Sequence, residues 1–154
     1  FGIPKYQLAQ KLSGVFRHKL LAPAHPLVRG FDDEFFAPHS RNTEVHREDI
    51  LPHPVLEILS VSNATGVHLI ARNDGRQFFV TGHLEYDRET IANEYFRDVK
   101  MGLNPAVPQN YFPNDDVTQR PLFNWRSHGH LLFSNWLNYY VYQATPYDLY
   151  GTSF

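Results

Sequence analysis

The 154-residue sequence contains no cysteine. A disulfide framework and a cysteine-ligated metal site are thereby excluded, and a reducing, cytoplasmic setting is expected. An excess of charge of either sign is also missing. Fourteen Lys and Arg stand against sixteen Asp and Glu, a net charge of -2. With no basic field to attract phosphates, neither nucleic acid nor an anionic membrane is expected as a partner. No apolar run approaches the roughly eighteen residues of a membrane span, and no signal-peptide pattern opens the chain. Internal repeats and low-complexity tracts are absent as well. What is present is 42% hydrophobic and 19% charged residues, enough for one globular domain with a real core. The opening FGIPKYQLAQKLSGVF lacks an initiator methionine and reads as the middle of a domain, so a fragment is expected.

Pro4, Pro23, Pro26, Pro38, Pro52 and Pro54 punctuate residues 1–54, which predicts loops and short elements there. Three apolar runs follow, over 55–62, 67–73 and 77–82. They are separated by the turn-formers NATG and NDGR, which predicts three strands in a meander. After Asp87, a candidate N-cap, the residues Ile91, Ala92, Tyr95, Phe96 and Val99 fall on one helical face, and Gly102 stands where a helix ends. Residues 103–127 carry four prolines and predict a long irregular excursion of the kind that is functional or laid against another surface. A second helix is expected from about Leu131 to Gln143, stopped before Pro146. Its aromatic residues go nearly all round, which predicts burial on several sides, against other residues or a second copy of the protein.

One stretch raises a chemical question. In RQFFVTGHLEYD, residues 76–87, an apolar run ends at Gly82 and is followed by His83 and Glu85. If the chain stays extended, residues two apart share a face, so His83 and Glu85 project together while Leu84 turns to the core. A carboxylate beside an imidazole fixes its tautomer and raises its basicity, which suits a general base and its orienter. A surface ion pair at a strand end is the plainer alternative.

GHLEYD resembles the GHPEYD signature of the homoserine O-acyltransferases (homoserine trans-succinylases), relatives of the class I glutamine amidotransferases. FGIPK, KLSGVF, RGFDDEFFAPHSR, EYFRDV, NYFPNDD and WRSHGHLLFSNWLNYYVYQATPYDL resemble the same family in the same order, from Phe1 to about Leu149. Leu84 stands where the family usually has proline. The resemblance implies an α/β, class I glutamine amidotransferase-like (flavodoxin-like) three-layer fold, of which residues 1–154 supply the C-terminal part of a single domain. It implies transfer of a succinyl or acetyl group from acyl-CoA to the hydroxyl of L-homoserine, in methionine biosynthesis, through a cysteine thioester. His83 would be the base and Glu85 its orienter, with the cysteine upstream of Phe1. Lys11, Ser40 and Arg97 match substrate-binding positions.

The residues themselves give plainer readings: a solvated lysine, a turn serine after Pro38, and an arginine on the polar helix face within reach of Glu94. The resemblance is followed for all three. Acyl-CoA would be a co-substrate, with no resident cofactor and no metal. His128-Gly129-His130 is not a ligand set, and a structural role is expected for it. Asp32-Asp33-Glu34 reads as a solvated acidic turn. The expected partners are the N-terminal half of the same enzyme and a second copy in a homodimer. Alternatives are a glutamine amidotransferase-like domain, serine O-acetyltransferase activity, or a fragment without catalysis.

Overall fold

The proline-punctuated first third carries the two longest strands of the protein, contrary to the expectation of loops, in the computed structural model, which describes residues 1–145. Strand β1 runs over Tyr6–Leu20 and β2 over Glu34–Glu44. Five of the six prolines lie outside both strands. The sixth, Pro38, is inside β2, but β2 is an edge strand of the sheet, where a missing N–H can face away from the ladder. Punctuation by proline therefore marked the strand ends and one tolerated interior site.

The three predicted meander strands are present as β3 (Leu56–Ser62), β4 (Gly66–Arg72) and β5 (Phe78–Val80). The sheet order is β2-β1-β3-β4-β5 and every neighbouring pair is antiparallel. β1 pairs with β2 along most of its length but with β3 only at Lys19 and Leu20, so the two long strands extend past the meander as a ribbon. The ribbon's register shifts between Gln7 and Leu12, and Lys11 lies in that shift.

Helix α1 is a single turn, Arg47–Ile50. Helix α2, Thr90–Lys100, ends at Gly102 as predicted, with φ +74 there. Its start differs: Glu89 holds the N-cap position without a side-chain cap, and Asp87 supplies only its carbonyl, to the Thr90 N–H at 3.2 Å. The face differs too. Ile91 and Ala92 are buried, but Phe96 and Val99 are exposed and Asp98 is buried in their place. Helix α3 starts at Arg126, five residues before the expected Leu131, and runs to Trp136. It continues through a π-helical turn, Leu137–Val141, to Ala144. Phe133, Trp136, Tyr139 and Tyr142 keep large exposed surfaces, so burial on several sides is not what this chain provides. Pro146 and the remainder of the ATPYDL motif lie outside the described residues.

The main core joins Val15, Leu20, Phe35, Ala37, Leu59, Leu69 and Ala71 of the sheet to Ile91 and Ala92 of α2 and Leu132 of α3. The long 103–127 excursion is part of that core through Tyr111, Phe112 and Trp125. It is pinned by hydrogen bonds: the Tyr111 hydroxyl accepts from Ala92 N–H at 3.1 Å and donates to the Arg88 carbonyl, and Arg88 donates to the Pro121 carbonyl at 2.7 Å. A smaller cluster forms around Ile50, Val67 and Ile70. No helix among the described residues is long and apolar enough to cross a membrane.

Candidate active site

The segment after β5 is a turn, not the extended strand expected. Tyr86 N–H donates back to the His83 carbonyl at 3.2 Å, and residues 84–85 are turn residues. Strand alternation therefore does not bring His83 and Glu85 together; the turn does. The His83 Nδ1 to Glu85 Oε1 distance is 2.8 Å, and Leu84 between them is buried. A carboxylate can only accept, so Nδ1 carries a proton, and in the neutral ring the lone pair is on Nε2. His83 is also stacked on the Tyr86 ring, centroids 4.3 Å apart and nearly parallel.

This turn is clamped from several directions. His83 N–H donates to the Pro38 carbonyl at 2.7 Å, and Trp125 Nε1–H to the Tyr86 carbonyl at 2.9 Å. Each such bond contributes about 1 kcal/mol net. Two glycines allow the close approaches involved. A Cβ on Gly129 would lie 2.5 Å from the Leu84 carbonyl oxygen, so α3 packs on the turn only because residue 129 has none. A Cβ on Gly82 would lie 2.8 Å from His68 Cε1, 2.9 Å from His39 Nε2 and 2.9 Å from the Pro38 carbonyl oxygen.

The structure brings all five candidate residues into one connected network. Tyr86 donates its hydroxyl to Glu94 Oε1 at 3.3 Å. Glu94 Oε2 accepts from Ser40 Oγ and from Lys11 Nζ, the latter at 3.1 Å. Lys11 also reaches Asp98 Oδ2 at 3.4 Å, and Asp98 Oδ1 accepts from Arg97 at 2.6 and 2.8 Å. Two plainer readings are corrected here. Ser40 is not a turn residue but lies inside β2, opposite Ser13. Arg97 takes Asp98 as its partner instead of Glu94, and it keeps most of its surface in solvent. The register shift of β1 at Lys11 and the polar face of α2 together place a lysine, two carboxylates and an arginine beside the His83 turn.

Glu94, which sequence reasoning assigned only as a neighbour of Arg97, is the hub. Burial opposes its ionisation, but hydrogen bonds from Ser40 and Lys11, the Lys11 charge and the Tyr86 hydroxyl outweigh burial and hold its pKa below the ordinary value. Burial and the Glu94 carboxylate in turn push the Tyr86 phenol up to about 12, so it stays protonated and can donate. The signal for Glu94 in the sequence was its position three residues before Arg97 on the same face; nothing local pointed to Ser40 or Lys11.

His128 accepts the structural role expected of it, paired to Asp32 at 3.2 Å and packed edge-on to Phe31. The acidic turn is correspondingly less free than expected, since Glu34 also pairs with Arg17 at 3.1 Å. Three histidines that sequence reasoning passed over meet below Gly82. His18 of β1, His39 of β2 and His68 of β4 are fully buried, each offering a ring nitrogen within 4.8 Å of the others. Burial drives the His18 imidazole down to about 4, against a hydrogen bond to the Phe16 carbonyl that favours the charged form. It drives His39 down to about 2, with help from the charges of His18, Arg41 and His83, and His68 well below its ordinary value. All three are neutral near pH 7.

A family model described as homoserine O-succinyltransferase matches residues 1–147. A homoserine O-acetyltransferase of Bacteroides fragilis is 56% identical over 149 residues, 97% of this chain and 49% of that protein. One from Geobacillus sp. (strain WCH70) is 59% identical over 148 residues, 96% of this chain and 49% of that protein. The chain thus spans about half the length of the curated relatives it matches. Among solved structures, a glutamine amidotransferase from Thermotoga maritima superposes with a TM-score of 0.57 at 11% identity, over 88% of this chain and 54% of that one. An identity this low speaks to fold alone, and the fold is the expected glutamine amidotransferase-like α/β one.

Proposed function

Since this chain belongs to the homoserine O-succinyltransferase family, we propose that it supplies the general base and the acceptor pocket of a thioester acyl transfer to the hydroxyl of L-homoserine, a step in methionine biosynthesis. The observation that carries the reading is the 2.8 Å contact between His83 Nδ1 and Glu85, which leaves Nε2 as a proton acceptor on a fixed ring.

The nucleophile is a cysteine thiol from outside these 154 residues, which contain none. His83 Nε2 takes the thiol proton, and the sulfur attacks the thioester carbonyl of an acyl-CoA. The CoA thiolate leaves and is protonated by the His83 imidazolium. The acceptor hydroxyl then gives its proton to Nε2 as its oxygen attacks the enzyme thioester. The tetrahedral intermediate collapses to the O-acyl ester, and the enzyme sulfur recovers the proton. Glu85 holds the ring and stabilises the imidazolium of each step.

The acceptor is an amino acid, and the Lys11–Glu94–Asp98–Arg97 network offers both signs of charge for its two charged ends. Arg97 has the fork that suits a carboxylate, with Asp98 already holding one side of it. Ser40, hydrogen-bonded to Glu94, belongs to the same network. The acyl group is succinyl or acetyl, and acyl-CoA acts as co-substrate with no resident cofactor in this step. The working unit is a cytoplasmic homodimer of the complete enzyme.

The test is a half-reaction assay on the complete enzyme. Incubation with succinyl-CoA or acetyl-CoA should add one acyl group by intact mass, and L-homoserine should discharge it. His83→Asn should block both halves. An acyl-enzyme that forms and discharges at the wild-type rate in His83→Asn would sink the assignment. The 154-residue chain alone should transfer nothing, and turnover by it would sink the external-cysteine mechanism.

A further inference from the structure

Three uncharged imidazoles in a dry core are costly unless something uses their lone pairs. His18, His39 and His68 come from three different strands and show no exposed surface. His18 donates Nδ1–H to the Phe16 carbonyl at 2.9 Å, which turns its Nε2 lone pair inward, toward His39 Nε2 at 3.0 Å and Thr65 Oγ1 at 3.2 Å. That contact can satisfy one nitrogen of His39 but leaves its Nδ1 without a partner among the described residues. His68 lacks a partner at both ring nitrogens among the described residues. Each such orphan costs about 1–3 kcal/mol, and three of them fall on two rings of one cluster.

We propose that His18, His39 and His68 form a structural site for one zinc ion, with a water held by Thr65 Oγ1 as the fourth ligand. The ligand set has the composition and spacing such an ion needs. Imidazole is a preferred donor for Zn²⁺, and Zn–N bonds of about 2.0–2.1 Å place tetrahedral donors roughly 3.3–3.5 Å apart. The 3.0 Å pair and the 4.8 Å outer limit bracket that spacing. The Phe16 carbonyl on His18 Nδ1 is the outer hydrogen bond that metal-bound histidines usually carry. Opposing the ion, the Arg41 guanidinium lies near enough to disfavour positive charge at the cluster. With no anionic ligand, the site should bind more weakly than one containing a thiolate or carboxylate. The ion would tie β1, β2 and β4 together directly under Gly82, as a fixed floor for the turn that carries His83. The expectation of no metal differs from this because the three histidines are far apart in the chain and only the sheet brings them together.

The experiment uses the complete enzyme, stripped with a chelator and dialysed against zinc sulfate, with metal content read by mass spectrometry. One zinc per chain is expected, with a rise in Tm on zinc addition. Cobalt(II) should give the strong visible d–d bands of a four-coordinate site. His68→Phe keeps the volume and removes a ligand, and should weaken zinc binding by about a hundredfold or more. His130→Ala, at the exposed histidine of α3, should change nothing. If His68→Phe does not fold, the wild-type stoichiometry and the cobalt spectrum decide alone. No zinc above background, six-coordinate cobalt bands, or zinc binding unchanged in folded His68→Phe would each overturn the proposal and leave a hydrogen-bonded imidazole cluster.

Discussion

Four histidines gather on the two sides of Gly82, three of them next to it and His18 packed behind His39 and His68, and their settings divide them sharply. His83 sits on the solvent side of the turn, partly exposed, with Glu85 at 2.8 Å and the Tyr86 ring stacked on it. His39, His18 and His68 lie below the glycine with no exposure, no carboxylate partner among the described residues and depressed pKa values. The side chain is the same in all four. What differs is whether a carboxylate and water reach it. A proton acceptor that must cycle through the charged form needs both, so His83 can serve as a base while the buried three can offer only neutral lone pairs. One glycine without a Cβ lets the two environments approach this closely.

The comparison breaks most severely if the exposed member is removed. In the complete enzyme, His83→Asn should lower kcat/KM for acyl transfer by a factor of about 10³ or more, the usual scale for a general base that also activates a nucleophile. Its unfolding midpoint should stay close to wild type, because the ring is not in the core. A large loss of stability would mean that His83 belongs with the buried set.

Gly82→Ala probes the wall between the two environments. The new Cβ would meet His68, His39 and a backbone carbonyl at 2.8–2.9 Å, and the backbone cannot yield cheaply. A destabilisation of about 1–3 kcal/mol by chemical denaturation is expected, with activity falling as the turn shifts. A neutral effect would show that the turn floats free of the cluster.

Glu85→Gln keeps the shape and removes the charge that holds the His83 tautomer. A drop of about 10- to 100-fold in both half-reactions is expected, with little change in the KM for homoserine. Arg97→Lys should do the reverse, because it replaces a bidentate fork by a point charge. The KM for homoserine should rise several-fold while acyl-enzyme formation from acyl-CoA is nearly untouched. Equal damage to both halves would take Arg97 out of the acceptor pocket.

The smallest effect is on acid stability. Glu94 has a folded pKa below its ordinary value. A depressed carboxyl contributes stability that is fully present above the unfolded value, about 4.3, and is lost as the pH falls through the lower folded value. Glu94→Gln should therefore flatten the loss of stability below about pH 4.3 in denaturation curves, relative to wild type. Superimposable acid profiles would show that Ser40, Lys11 and Tyr86 do not stabilise its charge.

Much of this was legible in the chain itself. The meander strands, the helix ending at Gly102 and the inward turn of Leu84 follow from patterns that extend over only a few residues. Those patterns are set by local sterics and by the period of burial. The His83–Glu85 pair was legible as well, but for a wrong reason: spacing of two suggested a strand, and a turn brought the groups together. Residues 1–54 misled because proline marks where a strand cannot continue its ladder, and an edge strand has a side with no ladder to break. The helical face of α2 misled because Phe96 and Val99 are apolar yet exposed, while Asp98 is buried where two cations can pair with it.

Sequence by itself determined the meander strands, the helix ending at Gly102, the nearness of one imidazole to one carboxylate and, through motifs in a fixed order, the family. Tertiary structure alone decided which distant residues meet. Lys11 and Glu94 are joined across 83 positions, Ser40 and Glu94 across 54, and His18, His39 and His68 across three strands. The physical reason is that a strand or helix announces its own periodicity, whereas a contact between elements depends on register, twist and the one glycine at which two backbones can close. None of those leaves a trace within the span of a single element.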